Sequence, residues 1–402
     1  MDPKDKAFFG LLSLVPEGEI LKRIESLSER LSRRGVDAAV IMQNVDMFYF
    51  SGTIQRGFLA VSRQGEAVLY VQRDFERASA ESPLEVRRAR GLGELKSVEF
   101  LRRARTIGLE LDVLPVATFF RLKDLLEGAD LVDISSDILS LRAVKSPYEI
   151  RQMEEASRIT ARVLSSVTSF CRAGMTETEL DALLQAEGRK LGHHGWLRMR
   201  GFNQEMTPVA VLSGPNGSFP SYVDGPLKGL GTCPAIGYGS SSKRIREGEP
   251  IVVDYGAGYN GYLTDETRTY VIGRLPRVLE DAYKVSLEIL ESFEAHAHPG
   301  KNGRELFEMA LGIVGRYGLE EHFMGYGENR VRFVAHGIGL EINEWPVIAM
   351  GREEELKEGM VFALEPKFVF PGKGAVGVEV DYVVEKRWLR RLNSLSTDLF
   401  RL

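Results

Sequence analysis

Two carboxylates flank a glycine-rich turn in the middle of the chain. An apolar, strand-like run leads into Asp254, the hairpin signal Asn260-Gly261 follows, and a returning run carries Asp265. If the turn is centred between Tyr259 and Asn260, the two aspartates are directly opposed across the strands, with Cβ atoms about 5 Å apart. Two ionised carboxylates at that distance repel by about 3 kcal/mol at an effective dielectric of about 20. A shared proton or a bound cation would remove this cost.

A second pair of carboxylates has the same arrangement further along the chain. A strand-like run ends at Glu365, a turn signal surrounds Gly372, and a returning run carries Glu379. Centring this turn on Gly372 places the two glutamates opposite each other. His336 lies between the two hairpins in the sequence, among small residues.

These five side chains form a ligand set dominated by oxygen. Four ionised carboxylates carry four negative charges, which two divalent cations would balance. Such sets suit manganese or iron(II) better than structural zinc. Each residue also has an ordinary interpretation, because an aspartate in a strand often lies at the surface and a histidine beside glycines is often a hydrogen-bonded core residue.

The elements that must position these residues fall into two predicted domains, 1–140 and 141–402. In the first, helices and strands alternate, which favours an α/β layer domain. Its predicted helices are 20–34 and 118–126, and its predicted strands are 38–42, 47–50, 58–62, 67–71, 107–110 and 131–134. In the second, helices are predicted near 149–170, 177–191, 277–296 and 303–317, with glycine-rich strands between and after them. Thr176 and Glu179 form a capping-box pattern before one of these helices.

Composition excludes several classes of protein. The chain has 402 residues, of which 44% are hydrophobic and 27% charged, as expected for a globular protein of two domains. Its net charge of -5 does not favour nucleic-acid binding. Cys171 and Cys233 are too few for a disulfide framework. We expect a cytoplasmic protein without membrane contact, since the sequence shows neither a long apolar run nor a signal peptide.

The motifs around the five candidate ligands resemble those of the pita-bread metallopeptidases, which include Xaa-Pro aminopeptidases, prolidases, methionine aminopeptidases and creatinases. The resemblance covers about residues 141–387 and is carried by Val253–Gly256, Gly261–Thr269, His336–Glu341, Glu358–Val361, Leu364–Pro366 and Glu379. The lead-in Leu141–Ser146 is similar to that of the proline-specific members. The resemblance implies an α/β (α+β) chain with a creatinase-like N-terminal domain followed by a pita-bread catalytic domain.

The resemblance also implies a dinuclear metal centre. Asp254 would chelate one ion, His336 and Glu365 would hold the other, and Asp265 and Glu379 would bridge both. Manganese is the expected metal, with cobalt, iron or zinc as alternatives. A hydroxide between the ions would attack the peptide carbonyl while Glu365 shuttles the proton.

Three positions depart from the family pattern. Gly237 replaces a histidine seventeen residues before the first aspartate, Asn343 replaces one seven residues after the histidine ligand, and Gly377 replaces an arginine two residues before the last glutamate. In the family the two histidines donate hydrogen bonds to the substrate. We therefore expect Asn343 to serve as a catalytic hydrogen-bond donor, although it cannot act as an acid.

Other polar side chains are candidates to replace the missing groups. They are an imidazole from His193 or His194 and hydroxyls from Tyr238 or from Ser240–Ser242. The guanidinium groups of Arg198, Arg200 and Arg268 could meet a carboxylate of the substrate. Ordinary structural roles at a helix end, in a polar loop or in ion pairs remain alternatives for all of them.

The intact ligand set favours a metal-dependent aminopeptidase or dipeptidase that hydrolyses Xaa-Pro bonds. The departures favour two alternatives, a non-peptidase hydrolase or lyase of a small polar molecule on the same metal centre, or a non-catalytic binding protein stabilised by metal. The expected partner is a peptide or a small polar substrate. The family resemblance further implies a homodimer.

Overall fold

The computed structural model describes residues 10–402, which divide into two compact units between Arg142 and Ala143. Both units combine helices with β-sheets, which confirms the predicted α/β class. Within residues 10–402, no helix is both long enough and apolar enough to cross a membrane.

The first unit is built on a mixed six-stranded sheet. Its strands are β1 (Ala38–Ile41), β2 (Gly57–Ser62), β3 (Ala67–Val71), β4 (Glu85–Arg88), β5 (Thr106–Leu109) and β6 (Asp130–Asp133), in the order β4-β3-β2-β1-β5-β6. Its helices are α1 (Glu17–Arg34), α2 (Asn44–Ser51), α3 (Phe75–Glu81), α4 (Glu99–Arg103), α5 (Val116–Leu125) and α6 (Ser135–Ala143), the last of which ends one residue past the division. The predicted hairpin of β2 and β3 is confirmed, with Val61 paired to Ala67.

One predicted strand of this unit is wrong. Met47–Phe50 belongs to helix α2, not to a strand. The side chain of Gln43 caps this helix by accepting hydrogen bonds from the backbone amides of Val45 and Asp46, and Gly52 ends it in a left-handed conformation. A short apolar run fits a buried helix as well as a buried strand. The capping residues Gln43 and Gly52 stabilise the helix here. Strand β4 was not predicted, because its charged and exposed residues carry no apolar pattern.

The second unit contains the candidate ligands. Its helices are α7 (Pro147–Phe170), α8 (Glu177–Lys190), α9 (Arg277–His296) and α10 (Gly303–Arg316). Its strands are β7 (Val209–Ser213), β8 (Pro250–Tyr259), β9 (Tyr262–Val271), β10 (Phe333–Gly337), β11 (Glu344–Ala349), β12 (Val361–Leu364), β13 (Lys367–Phe370), β14 (Gly374–Gly377), β15 (Val380–Val384), β16 (Leu389–Arg391) and β17 (Phe400–Arg401). They form a sheet β17-β9-β8-β7, a sheet β11-β10-β12-β15-β16 and the ribbon β13-β14.

Each of the two larger sheets is covered by a pair of helices. Helices α7 and α8 share an apolar cluster with β7, β8 and β9, to which Val163, Leu184 and Val253 contribute. Helices α9 and α10 share another with β10, β12 and β15, to which Leu290 and Phe362 contribute. Because side chains alternate between the two faces of a strand, the face opposite the helices is free to carry polar groups.

Helix α7 begins with a capping box. The Ser146 hydroxyl accepts a hydrogen bond from the Glu149 amide (3.3 Å), and the Glu149 carboxylate accepts one from the Ser146 amide (3.0 Å). Pro147 occupies the first turn, where its missing N–H costs nothing. The capping box predicted at Thr176 and Glu179 is confirmed at the start of α8.

Replacing Ser146 by alanine should lower the free energy of unfolding of the second unit by about 1 kcal/mol, because the cap is lost. Ser165→Ala, at an exposed position near the other end of the same helix, is the matched control. It should leave the free energy unchanged or slightly raise it, since alanine is the better helix former. Urea unfolding of both variants measures the difference, and equal losses would contradict the capping role.

Candidate metal centre

Asp254 and Asp265 lie on the paired strands β8 and β9 and face the same side of the sheet. Asp254 pairs with Thr267 and Asp265 pairs with Gly256, so the prediction that the two aspartates are directly opposed is wrong. The turn is centred on Asn260-Gly261, one residue later than expected, and both turn residues have positive φ angles (48° and 91°). A two-residue turn of this kind requires positive φ at both central positions, which Asn-Gly supplies. The pairing shifts by two residues and therefore keeps both carboxylates on one face.

Glu365 and Glu379 flank the hairpin of β13 and β14. Lys367 pairs with Gly377, which confirms the register expected from a turn centred on Gly372. The backbone amide of Glu379 donates to the carbonyl of Thr267 (3.0 Å) and so joins this hairpin to β9.

His336 on β10 completes the group of predicted ligands. Its Nε2 atom lies 3.7 Å from Oε1 of Glu365 and 3.7 Å from Oε1 of Glu379. All five predicted ligand residues line one cavity of about 280 Å³, together with Asn343. The structure thus brings together every residue that the sequence singled out for the metal centre and its chemistry.

Lys367 is a residue of this cavity that sequence reasoning missed. Its Nζ atom donates to Oε2 of Glu379 (2.6 Å) and to Oε2 of Glu365 (2.8 Å), and it lies 3.6 Å from Oδ2 of Asp254. The side chain is only 2% exposed. A signal existed in the sequence, because strand alternation places Lys367 on the same face as Glu365 two residues before it.

Burial and the opposite charges set the protonation of this cluster. Burial raises the pKa of Glu365 to about 7, even with Lys367 beside it. For Glu379, burial acts in the same direction, but Lys367 and His336 hold the pKa at about 2. Burial alone would lower the pKa of Lys367, whereas Glu365 and Glu379 hold it well above its usual value. Lys367 and Glu379 therefore form a buried ion pair.

Asp265, His336 and Glu379 have the geometry of a metal site. One ligand atom from each lies within 4.8 Å of the others, and all three residues are buried. An imidazole with carboxylates suits a divalent transition metal. This donor set fits an ion on the His336 side of the cluster. On the Asp254 side, the carboxylates face the ammonium group of Lys367.

Most of the candidate replacements for the missing histidines lie outside the cavity. His193 accepts from the amide of Gly258 (2.8 Å), and burial lowers its pKa to about 4. His194 contacts the carbonyl of Trp196 (2.9 Å). The hydroxyl groups of two of the predicted serines bond elsewhere, that of Ser240 to Asp181 and that of Ser241 to Glu177. Tyr238 does line the cavity.

Two of the three arginines considered for substrate binding form ion pairs in the second unit. Arg200 lies 3.7 Å from Glu341, and the same carboxylate raises the pKa of Arg198 against the larger, lowering effect of burial. Arg268 is fully buried and pairs with Glu266 at 2.9 Å. These contacts give structural roles to side chains that the sequence left open.

Arg268 supports the predicted ligand Glu379 from behind the sheet. It donates to the carbonyl of Glu379 (2.7 Å), to that of Thr267 (3.0 Å) and to that of Ser396 (2.8 Å). The Thr267 hydroxyl donates to Oε2 of Glu379 (2.7 Å). These bonds fix both the backbone and the side chain of Glu379.

Two family models match the chain. The model described as metallopeptidase family M24 matches residues 151–386, and the model of the creatinase/prolidase N-terminal domain matches residues 23–144. Among curated proteins, the Xaa-Pro dipeptidase of Pyrococcus furiosus is 29% identical over 383 residues, which are 94% of this chain and 99% of that protein.

Solved structures show the same likeness. The prolidase from Pyrococcus horikoshii OT3 superposes with a TM-score of 0.80 at 26% identity, covering 94% of this chain and 100% of that one. The X-Pro aminopeptidase from Thermotoga maritima MSB8 superposes with a TM-score of 0.78 at 27% identity, covering 94% of this chain and 99% of that one. These likenesses confirm the predicted order of a creatinase-like domain and a pita-bread domain.

Replacing Arg268 by methionine should lower the free energy of unfolding by about 3–5 kcal/mol, because Glu266 is left as an unpaired buried carboxylate. Arg277→Met is the matched control, since 94% of that side chain is exposed. The control should change the free energy by less than about 0.5 kcal/mol. Chemical unfolding of both variants tests the role, and similar small effects would contradict it.

Proposed function

Because the chain belongs to metallopeptidase family M24, we propose that it is a metal-dependent Xaa-Pro dipeptidase or aminopeptidase, which cleaves the bond before a proline. The observation that carries the proposal is the convergence of Asp254, Asp265, His336, Glu365 and Glu379 on one buried cavity. The names of the curated and structural relatives support the substrate class, since their matched lengths are almost complete. Hydrolysis by this enzyme class consumes a peptide and a water molecule.

We further propose a divalent metal, with manganese first and cobalt, iron or zinc as alternatives. Asp265, His336 and Glu379 would hold an ion, with Glu365 and Asp254 as the remaining predicted ligands. When bound, such an ion lowers the pKa of water and polarises the carbonyl group of the substrate. Glu365 would carry the proton at its carboxylate oxygens, since it lines the same cavity as Asp265, His336 and Glu379.

Substrate positioning falls to side chains in the walls of the cavity. Phe202, Tyr222 and Phe333 offer apolar surface to the ring of a proline or to the side chain before it. Asn343 offers an amide N–H where relatives of the proline-specific branch have a histidine. A neutral amide donates a hydrogen bond but supplies no proton, so Asn343 can stabilise developing charge without acting as an acid.

A second candidate is a hydrolase or lyase of a small polar molecule other than a peptide. The replacement of three family positions by Gly237, Asn343 and Gly377 favours it, together with the buried Lys367 in the cavity. Turnover of Xaa-Pro dipeptides by metal-loaded protein separates the two candidates. Cleavage of Xaa-Pro bonds would exclude the second candidate as the main activity, and activity confined to non-peptide substrates would exclude the first.

Asp265→Ala should abolish tight metal binding and lower the rate of Xaa-Pro hydrolysis by at least about 100-fold, because a central ligand is lost. Asp281→Ala is the control, an aspartate-to-alanine change at an exposed position of helix α9. Metal content after desalting and turnover of an Xaa-Pro dipeptide are measured on both. Undiminished metal content in Asp265→Ala would refute its role as a ligand.

Asn343→Ala should lower kcat for an Xaa-Pro dipeptide by about 100-fold with a smaller change in KM, as expected for the loss of a donor that acts in the transition state. Asn343→His should retain or exceed the wild-type kcat, because a histidine also donates. An unchanged kcat in Asn343→Ala would show that this amide takes no part in the reaction.

A further inference from the structure

We propose that the ammonium group of Lys367 occupies one of the two cation positions of this centre, so that each chain binds a single divalent ion on the His336 side. The inference rests on the metal binding of the proposed function and is independent of the substrate. It departs from the two-ion arrangement that the family resemblance implies.

The first support is the position of the ammonium group among the predicted ligands. Its contacts with Glu379 (2.6 Å) and Glu365 (2.8 Å) are short, charge-assisted hydrogen bonds, and Asp254 lies 3.6 Å away. Asp254 is the residue expected to chelate one of the two ions. The ammonium therefore stands where carboxylate oxygens converge on the Asp254 side, and a divalent ion at the same place would meet a like charge.

The two oxygens of Glu379 divide the centre into two halves. Oε1 faces Nε2 of His336 at 3.7 Å, whereas Oε2 accepts hydrogen bonds from Lys367 (2.6 Å) and from the Thr267 hydroxyl (2.7 Å). A glutamate that bridges two ions offers one oxygen to each of them. Here Oε2 already has two donors, so Glu379 keeps one oxygen for an ion, beside His336 and Asp265.

A second observation that supports the proposal is the glycine at position 377, opposite Lys367 on the neighbouring strand. Lys367 and Gly377 are partners in the hairpin, and a Cβ atom at Gly377 would lie 2.7 Å from both Cα and Cγ of Lys367. Any larger residue would displace the lysine. Gly377 is also the position where the family pattern has an arginine, so the loss of that side chain leaves room for Lys367 opposite it. The positive charge is supplied from position 367, and the glycine provides the room for its aliphatic stem.

Charge balance agrees with this assignment. The four carboxylates carry four negative charges when ionised, of which Lys367 offsets one and a single divalent ion offsets two. A second divalent ion beside the ammonium would make the cluster positive before any water or substrate entered. Lys367 is thus a positioning residue, which orients Glu365 and Glu379 without touching the ion.

Metal stoichiometry tests the proposal without any substrate. The full-length protein is stripped with a chelator, reloaded with excess manganese and desalted, and its ions per chain are counted by mass spectrometry. We expect one ion in the wild type and two in Lys367→Gly. Lys373→Gly, at an exposed position in the turn of the same hairpin, should keep one ion.

Two ions per wild-type chain would overturn the proposal, as would a single ion in Lys367→Gly. An absence of bound metal in the wild type would overturn the metal-dependent function and this inference with it. If Lys367→Gly does not fold, anomalous diffraction from manganese-loaded wild-type crystals decides. One peak beside His336 supports the proposal, and a peak beside Asp254 refutes it.

Discussion

Repulsion among four carboxylates in one buried cavity is the constraint on which the second unit depends. An uncompensated buried charge costs several kcal/mol, so such a cluster persists only where positive charge and hydrogen-bond donors surround it. Here Lys367, the imidazole of His336 and the hydroxyl of Thr267 all approach Glu379 or its neighbours. Lys367 and His336 lower the pKa of Glu379 by more than burial raises it, whereas for Glu365 the effect of burial is larger and the pKa rises.

The sheets resolve this constraint by separating their two faces. On β8, Val253, Tyr255 and Ala257 pack with the helices, while Asp254 between them faces the cavity. Apolar burial on one face supplies the free energy of folding, at roughly 25 cal/mol per Å². The other face can then hold charged groups that do not themselves contribute to the free energy of folding. On β9 the separation is less simple, since the face away from the cavity carries the buried pair of Glu266 and Arg268.

Local patterns in the sequence predicted most of what is local in the structure. The six predicted helices, the capping box at Thr176 and the hairpin signals needed only neighbouring residues, and their positions follow from period and turn chemistry. The short helices α3, α4 and α6 were not predicted. The turn at Asn260-Gly261 lies one residue later than predicted, because a two-residue turn needs positive φ at both central positions and this pair supplies it. The prediction of a strand at Met47–Phe50 was wrong, because an apolar run of that length fits a helix as well as a strand.

What the sequence did not reveal depends on contacts between distant segments. Strand alternation could place Lys367 on the face of Glu365, but the room for it depends on Gly377, which lies opposite on another strand. The role of Arg268 was equally hidden, since its acceptors belong to Glu379 and to residues near 396. From sequence alone, a charged residue in a strand is predicted to be exposed, because the distant residues that could pair with it are not known.

The link between Arg268 and Ser396 bears on how the protein matures. Ser396 follows Arg268 by 128 residues, and β17 adds Phe400 beside Tyr270 on the same strand later still. On the ribosome, the strand that carries Asp265 emerges long before the segments that brace it. The contacts of Arg268 and Tyr270 with this later segment therefore form only after residues 396–400 have been synthesised. The backbone and side chain of Glu379 are thus fixed only when Arg268 has met acceptors that lie more than a hundred residues beyond it along the chain.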